Sequence, residues 1–128
     1  MKRKATVAVT RNFENNLDDV ENFLGERGLE SVFEELLAQI FDKVVPDLQG
    51  FPELGRDFLA RQPGSTETAS RVARITARLG TSTTLREYIF DDYLLLYALR
   101  DGRVFLLALR HHLQLSYDLR AHWVPARP

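Results

Sequence analysis

The chain has 128 residues, 45% apolar and 27% charged, with a formal net charge of −1 and no cysteine. That length fits one compact domain, and the composition excludes a disordered or fibrous chain. The missing cysteines exclude disulfides and thiolate metal sites. No apolar run has the length of a signal-peptide core or a membrane span, so the cytoplasm is the expected compartment.

The small net charge conceals a division. Residues 1–60 carry 7 Lys/Arg against 12 Asp/Glu, a balance of −5, whereas residues 61–128 carry 10 Arg against 6 Asp/Glu, a balance of +4. An anionic partner is therefore expected to meet the second half. Every basic residue after Lys43 is arginine, which suits bidentate contact with phosphate or carboxylate. Codon bias in a GC-rich genome accounts for the same usage.

Along the chain, residues 5–10 predict a short strand with Val7 and Val9 on one face. Thr10 and Asn12 are candidate caps for a helix in which Phe13, Leu17, Val20 and Leu24 recur at helical spacing, ended by Gly25 and Gly28. A second helix follows. Leu29, Val32, Phe33, Leu36, Leu37, Ile40, Phe41 and Val44 form its apolar stripe, and Pro46 is expected to stop it. The two read as a helical hairpin. Residues 47–64 contain Gly50, Pro52, Gly55, Pro63 and Gly64 and read as loop, with one turn of helix at 56–60. Residues 67–79 predict a third helix carrying Arg71, Arg74 and Arg78 on one side. Three readings stand for that stripe: a solvated face, a dock for an acidic partner segment, or a weak nucleic-acid contact.

The last third changes period. Residues 85–90, 93–100 and 103–110 are strand-like, joined by Asp91-Asp92 and by Asp101-Gly102, the strongest hairpin signal in the chain. If both turns have two residues and the register stays regular, Leu94, Leu96 and Ala98 share a face with Phe105, Leu107 and Leu109. That face is expected to carry the helices. The other holds Arg86, Tyr88, Phe90, Tyr93, Leu95, Tyr97, Leu106, Ala108 and Arg110. It reads as a binding surface or as an ordinary half-exposed face with snorkelling side chains. The expected fold is α+β: an antiparallel sheet with an N-terminal helical hairpin packed on one face, one domain over residues 1–128, with about 61–83 an elaboration.

Several of these segments resemble a known family. Phe51-Pro52-Glu53-Leu54-Gly55-Arg56 resembles the proline/Leu-Gly-Arg loop that follows the helical hairpin in the RelE/ParE toxins. Leu85-Arg86-Glu87-Tyr88 resembles the Leu-Arg strand opening of those toxins. Tyr93–Tyr97 and Val104–His112 look like their central strands, and Arg110–Leu119 resembles the end of a plasmid-stabilisation branch. The resemblance spans about residues 5–120. It implies the toxin of a bacterial type II toxin–antitoxin pair, with a cognate antitoxin as partner and no cofactor. The target it implies is either DNA gyrase, bound without hydrolysis, or ribosome-bound mRNA, which some members cleave. A third reading is a non-toxic interaction domain on the same fold.

Cleavage through a 2′-hydroxyl requires a base, an acid and cations for the phosphorane charge. Arg86 and Arg110 are the candidate cations; His112, Tyr117 and His111 are the candidate acids and bases. Adjacent strand residues point oppositely, so His112 is the histidine expected beside Arg110. The histidine pair also fits a strand-end cap bonded to Asp91, Asp92 or Asp118. No further ligand stands at metal spacing. Ser116 with Asp118 lacks a nucleophile-elbow turn, and no glycine-rich phosphate loop is present. Against the family pattern, Leu113 stands where a basic residue is more usual, and the charge of −1 departs from strongly basic ribosome-acting members. Both departures favour binding over catalysis.

Overall fold

A computed structural model describes residues 4–57, 74 and 82–111. The chain forms strand β1 (Thr6–Val9), helices α1 (Arg11–Gly25) and α2 (Glu30–Gln39), a π-helical turn (Ile40–Val44) and helix α3 (Val45–Gly50). Strands β2 (Arg56–Asp57), β3 (Thr84–Phe90), β4 (Tyr93–Arg100) and β5 (Arg103–His111) follow. The fold is α+β. Its five strands lie in the order β1-β5-β4-β3-β2. The sheet is mixed where a wholly antiparallel one was expected, because β1 runs parallel to β5 at the edge.

Local chemistry explains most boundaries. The Thr10 hydroxyl caps α1 by accepting from the Phe13 N–H. Gly28, with φ +70°, closes the helix as the Leu29 N–H returns to the Leu24 carbonyl. Both β-turns are tight, with Phe90 opposite Tyr93 and Arg100 opposite Arg103. Asp91, Asp101 and Gly102 take positive φ, as such turns demand.

Pro46 does not stop the second helix. The helical run continues to Gly50, through the stretch expected to begin a loop. A proline inside an α-helix lacks a donor and clashes with the carbonyl four residues back. Here the turn before it widens, and the Val45 N–H bonds the Ile40 carbonyl, five residues back. Pro46 then sits in the first turn of α3, where proline is tolerated. The helical turn expected from residue 56 is also corrected: Arg56 and Asp57 pair with Glu87 and Arg86 as β2.

The helices pack on the sheet face opposite to the one expected. Phe13, Leu17, Leu24, Phe33, Leu36, Ile40, Val44 and Leu48 form one core with Phe90, Leu95, Tyr97, Val104, Leu106 and Leu109. The second face, with Leu85, Leu94, Leu96, Ala98, Leu107 and Ala108, is also buried. Strand β4 is apolar on both faces, so alternation could not choose between them. A β-bulge then changes the register: Tyr97 faces Leu106 but Leu96 faces Ala108, leaving Leu107 as the extra residue on β5. Beyond it every β5 side chain changes face. Leu109 joins the helix side, and Arg110 lies opposite Leu94 on the second face.

Candidate functional site

Two constellations stand out. The first is a clamp on the loop between α3 and β2. Tyr97 is fully buried, which its hydroxyl permits by donating to the Pro52 carbonyl at 2.6 Å and accepting from the Gly55 N–H at 2.9 Å. Gly55 must be glycine there, since a Cβ would lie 2.7 Å from the Tyr97 ring. From the adjacent strand, Arg86 Nη1 donates to the carbonyls of Gly55 at 2.7 Å and Glu53 at 3.2 Å. The Tyr88 hydroxyl donates to Asp47 Oδ2 at 3.2 Å, tying α3 to the sheet. On the other face, buried Glu87 accepts from Arg56 Nε and Nη2 at 3.1 and 2.7 Å. Burial raises the pKa of Tyr97 above its ordinary value, and burial with the hydrogen bond to Asp47 raises that of Tyr88.

Arg86, Tyr88 and Tyr97 therefore converge as the sequence suggested, but beneath a loop and a helix. The guanidinium of Arg86 holds backbone carbonyls in place. Arg110 does not join the three. It pairs with Leu94, which pairs with Ile89, three rows along β3 from Arg86 and on the opposite face. His112 and Tyr117 lie outside the described residues, as does the third helix at 67–79 apart from Arg74, which is helical and exposed.

The second constellation is a groove of about 640 Å³ between the helical hairpin and the far ends of β4 and β5. Val20, Phe23 and Leu24 of α1 and Val32 of α2 form one wall, while Tyr93, Leu109, Arg110 and His111 form the other, with Asp19 and Asp92 at the rim. His111 packs edge-on against Tyr93, with ring centroids 5.6 Å apart. It is thus His111, on the strand face of Tyr93, that the bulge aims at the helix side. Burial, followed by the charges of Asp92 and Asp91, raises the pKa of Tyr93.

Three polar side chains, the Thr10 cap and two residues of α1, build this end of β5. β1 covers β5 only as far as Leu106. Past that point Thr10 and Asn12 donate to the carbonyls of Leu106 and Leu107, both at 2.8 Å, and the Leu109 N–H donates to Asn16 Oδ1 at 2.9 Å. All three residues are buried, and they replace the hydrogen bonds that a neighbouring strand would supply.

The sequence reading named neither Asp19 nor Phe23, and it placed Val32 only in the apolar stripe of the second helix. The signal was present in the second helix, whose eight-residue apolar stripe is wider than the hairpin buries. Leu29, Val32 and Phe41 remain 41%, 39% and 45% exposed. No family model and no curated protein matches the chain.

Proposed function

We propose that this chain is a RelE/ParE-type toxin of a bacterial toxin–antitoxin pair, acting by binding a cellular target, with DNA gyrase the candidate. The resemblance of the segments around Pro52–Arg56, Leu85–Tyr88 and the last two strands carries the family reading. The strand, helical hairpin and three-strand meander are compatible with it. The choice of binding over catalysis rests on one observation: Arg86 donates to the carbonyls of Gly55 and Glu53 and lies on the face opposite Arg110. Two candidate cations so placed do not form one phosphate site, and phosphorane charge has to be met by donors aimed at a single point.

A second reading, ribosome-dependent mRNA cleavage, draws on Arg110 and His111 bordering one groove. A histidine beside an arginine supplies one base and one cation. The two readings separate in a paired assay of the purified protein. The binding reading expects inhibition of gyrase supercoiling with ribosome-bound mRNA left intact. Cleaved mRNA with unaffected supercoiling would replace it by the ribonuclease reading. No effect in either assay would leave the non-toxic interaction domain.

A further inference from the structure

We infer that the free edge of β1 pairs antiparallel with β1 of a second copy of this chain, about a twofold axis at Ala8. The inference stands apart from the toxin reading and needs no other partner.

The backbone of β1 carries it. Along a strand, successive residues turn their N–H and C=O groups to alternate sides. The Thr6 N–H donates to the Gly102 carbonyl at 3.1 Å and the Thr10 N–H to the Leu106 carbonyl at 3.2 Å. Thr6, Ala8 and Thr10 therefore serve β5, while Ala5, Val7 and Val9 turn their groups to the outer edge. There the Ala5 N–H meets the Gln49 carbonyl at 2.8 Å. Among the described residues, nothing bonds the outward groups of Val7 and Val9. Unpaired edge groups are a template for another strand unless charge, proline or a bulge blunts them. Thr6-Val7-Ala8-Val9 has none of the three. The opposite edge of the sheet differs, because β2 is short and both its residues, Arg56 and Asp57, are charged.

The size of the opening selects the occupant. Gln49 at the end of α3 closes it at Ala5, and α1 begins at Arg11. A strand of ordinary length, about five or six residues, would run into α3. A second β1 fits because the same features bound it. With Ala8 on the axis, Val7 of each copy lies opposite Val9 of the other, and the two residues of such a pair exchange both N–H···O bonds. The outward groups of Val7 and Val9 are then all used. Past Thr10 each chain has left the edge, since α1 turns back over its own β5, where Asn12 and Asn16 bond the strand. The side chains agree with this register. Val7 and Val9 pack on the helix side and extend that apolar layer across the axis. Ala8 meets its own image at the closer, non-hydrogen-bonded position, with Cα atoms about 4.5 Å apart, where a methyl group fits.

Sedimentation equilibrium of the full-length chain tests the inference. So short a match buries less than the roughly 800 Å² per partner of a standard interface, so the association is weak. The mean mass should rise from monomer toward dimer between about 10 μM and 1 mM. Lys4 and Arg11 are exposed at the two ends of the opening, so the run is made at about 0.5 M salt, where their repulsion is screened. Val7→Pro removes an outward N–H and no bond to β5, a change that an edge strand tolerates. It should weaken association by about tenfold. Cross-linking reads the register. The chain has no cysteine, so Ala8→Cys places one thiol on each copy beside the axis. It should form a disulfide between copies under mild oxidation, since disulfides span Cα separations of about 4.4–6.8 Å. Thr6→Cys is more exposed but lies about 14 Å from its image and should not. A chain that stays monomeric across the range would overturn the inference. So would a folded Val7→Pro variant that associates like the parent, or cross-linking of Thr6→Cys in place of Ala8→Cys. The cross-links decide the matter if Val7→Pro does not fold.

Discussion

Tyr97 illustrates how a residue that looks like surface becomes core. A tyrosine is costly to bury only while its hydroxyl lacks partners, and the turn at Pro52–Gly55 supplies two. Tyr97→Phe keeps the ring and strands a carbonyl and an N–H. The expected cost is about 1–3 kcal/mol, read from urea denaturation. The same hydroxyl contributes to alkaline stability. Tyr88, Tyr93 and Tyr97 all hold their protons more tightly in the folded chain than at the ordinary value of 10.0. Above that pH the unfolded chain binds fewer protons than the folded one, so stability falls as pH rises. Their contribution is complete below pH 10.0 and is lost as pH climbs through the raised folded values. Denaturation midpoints should therefore drop across this window, and Tyr97→Phe should make the drop shallower; an unchanged slope would count against burial of that hydroxyl. The sequence made the grouping of Arg86, Tyr88 and Tyr97 legible through strand parity. It did not disclose that a loop lies over them, because backbone carbonyls, the partners of Arg86 and Tyr97, have no sequence signature.

At the scale of elements, the helical hairpin, the meander and both tight turns were legible from periodicity and turn chemistry. The register of β5 was not. Leu94-Leu95-Leu96 on β4 and Leu106-Leu107-Ala108-Leu109 on β5 are apolar at successive positions, so a slip of one residue exchanges one apolar side chain for another. What distinguishes the bulged register is polar and distant in sequence: Thr10, Asn12 and Asn16 bond the backbone of Leu106, Leu107 and Leu109. Asn16→Ala removes the acceptor of the buried Leu109 N–H. It should destabilise the chain by about 1–3 kcal/mol and raise the exchange rate of the Leu109 amide above that of its strand neighbours. Uniform exchange along β5 would mean that Asn16 does not hold this edge. Pro46 was misread for a related reason. A stop signal acts on an α-helix, and a π turn absorbs it without ending the helical run.

At the scale of the whole molecule, the division of charge seen in the sequence has a place in the fold. The acidic first half is largely the helical hairpin, which flanks one side of the groove, while Arg86 of the basic second half is occupied beneath a loop and Arg110 lines the other side of the groove from β5. An anionic partner on the second half was the plainest expectation from charge alone; the groove lining is instead mixed, with Asp19 and Asp92 beside Arg110 and His111, and Arg27 over the ring of Phe23. No helix among the described residues is long and apolar enough to cross a membrane.

The central claim, that the chain is a toxin held in check by a dedicated protein partner, is tested most directly by viable counts after induction of the chain alone and together with any small gene that adjoins its own. Counts should fall when the chain is expressed alone and recover on co-expression, with the two proteins purifying as one complex. Undiminished growth on expression of the folded chain alone would contradict the claim.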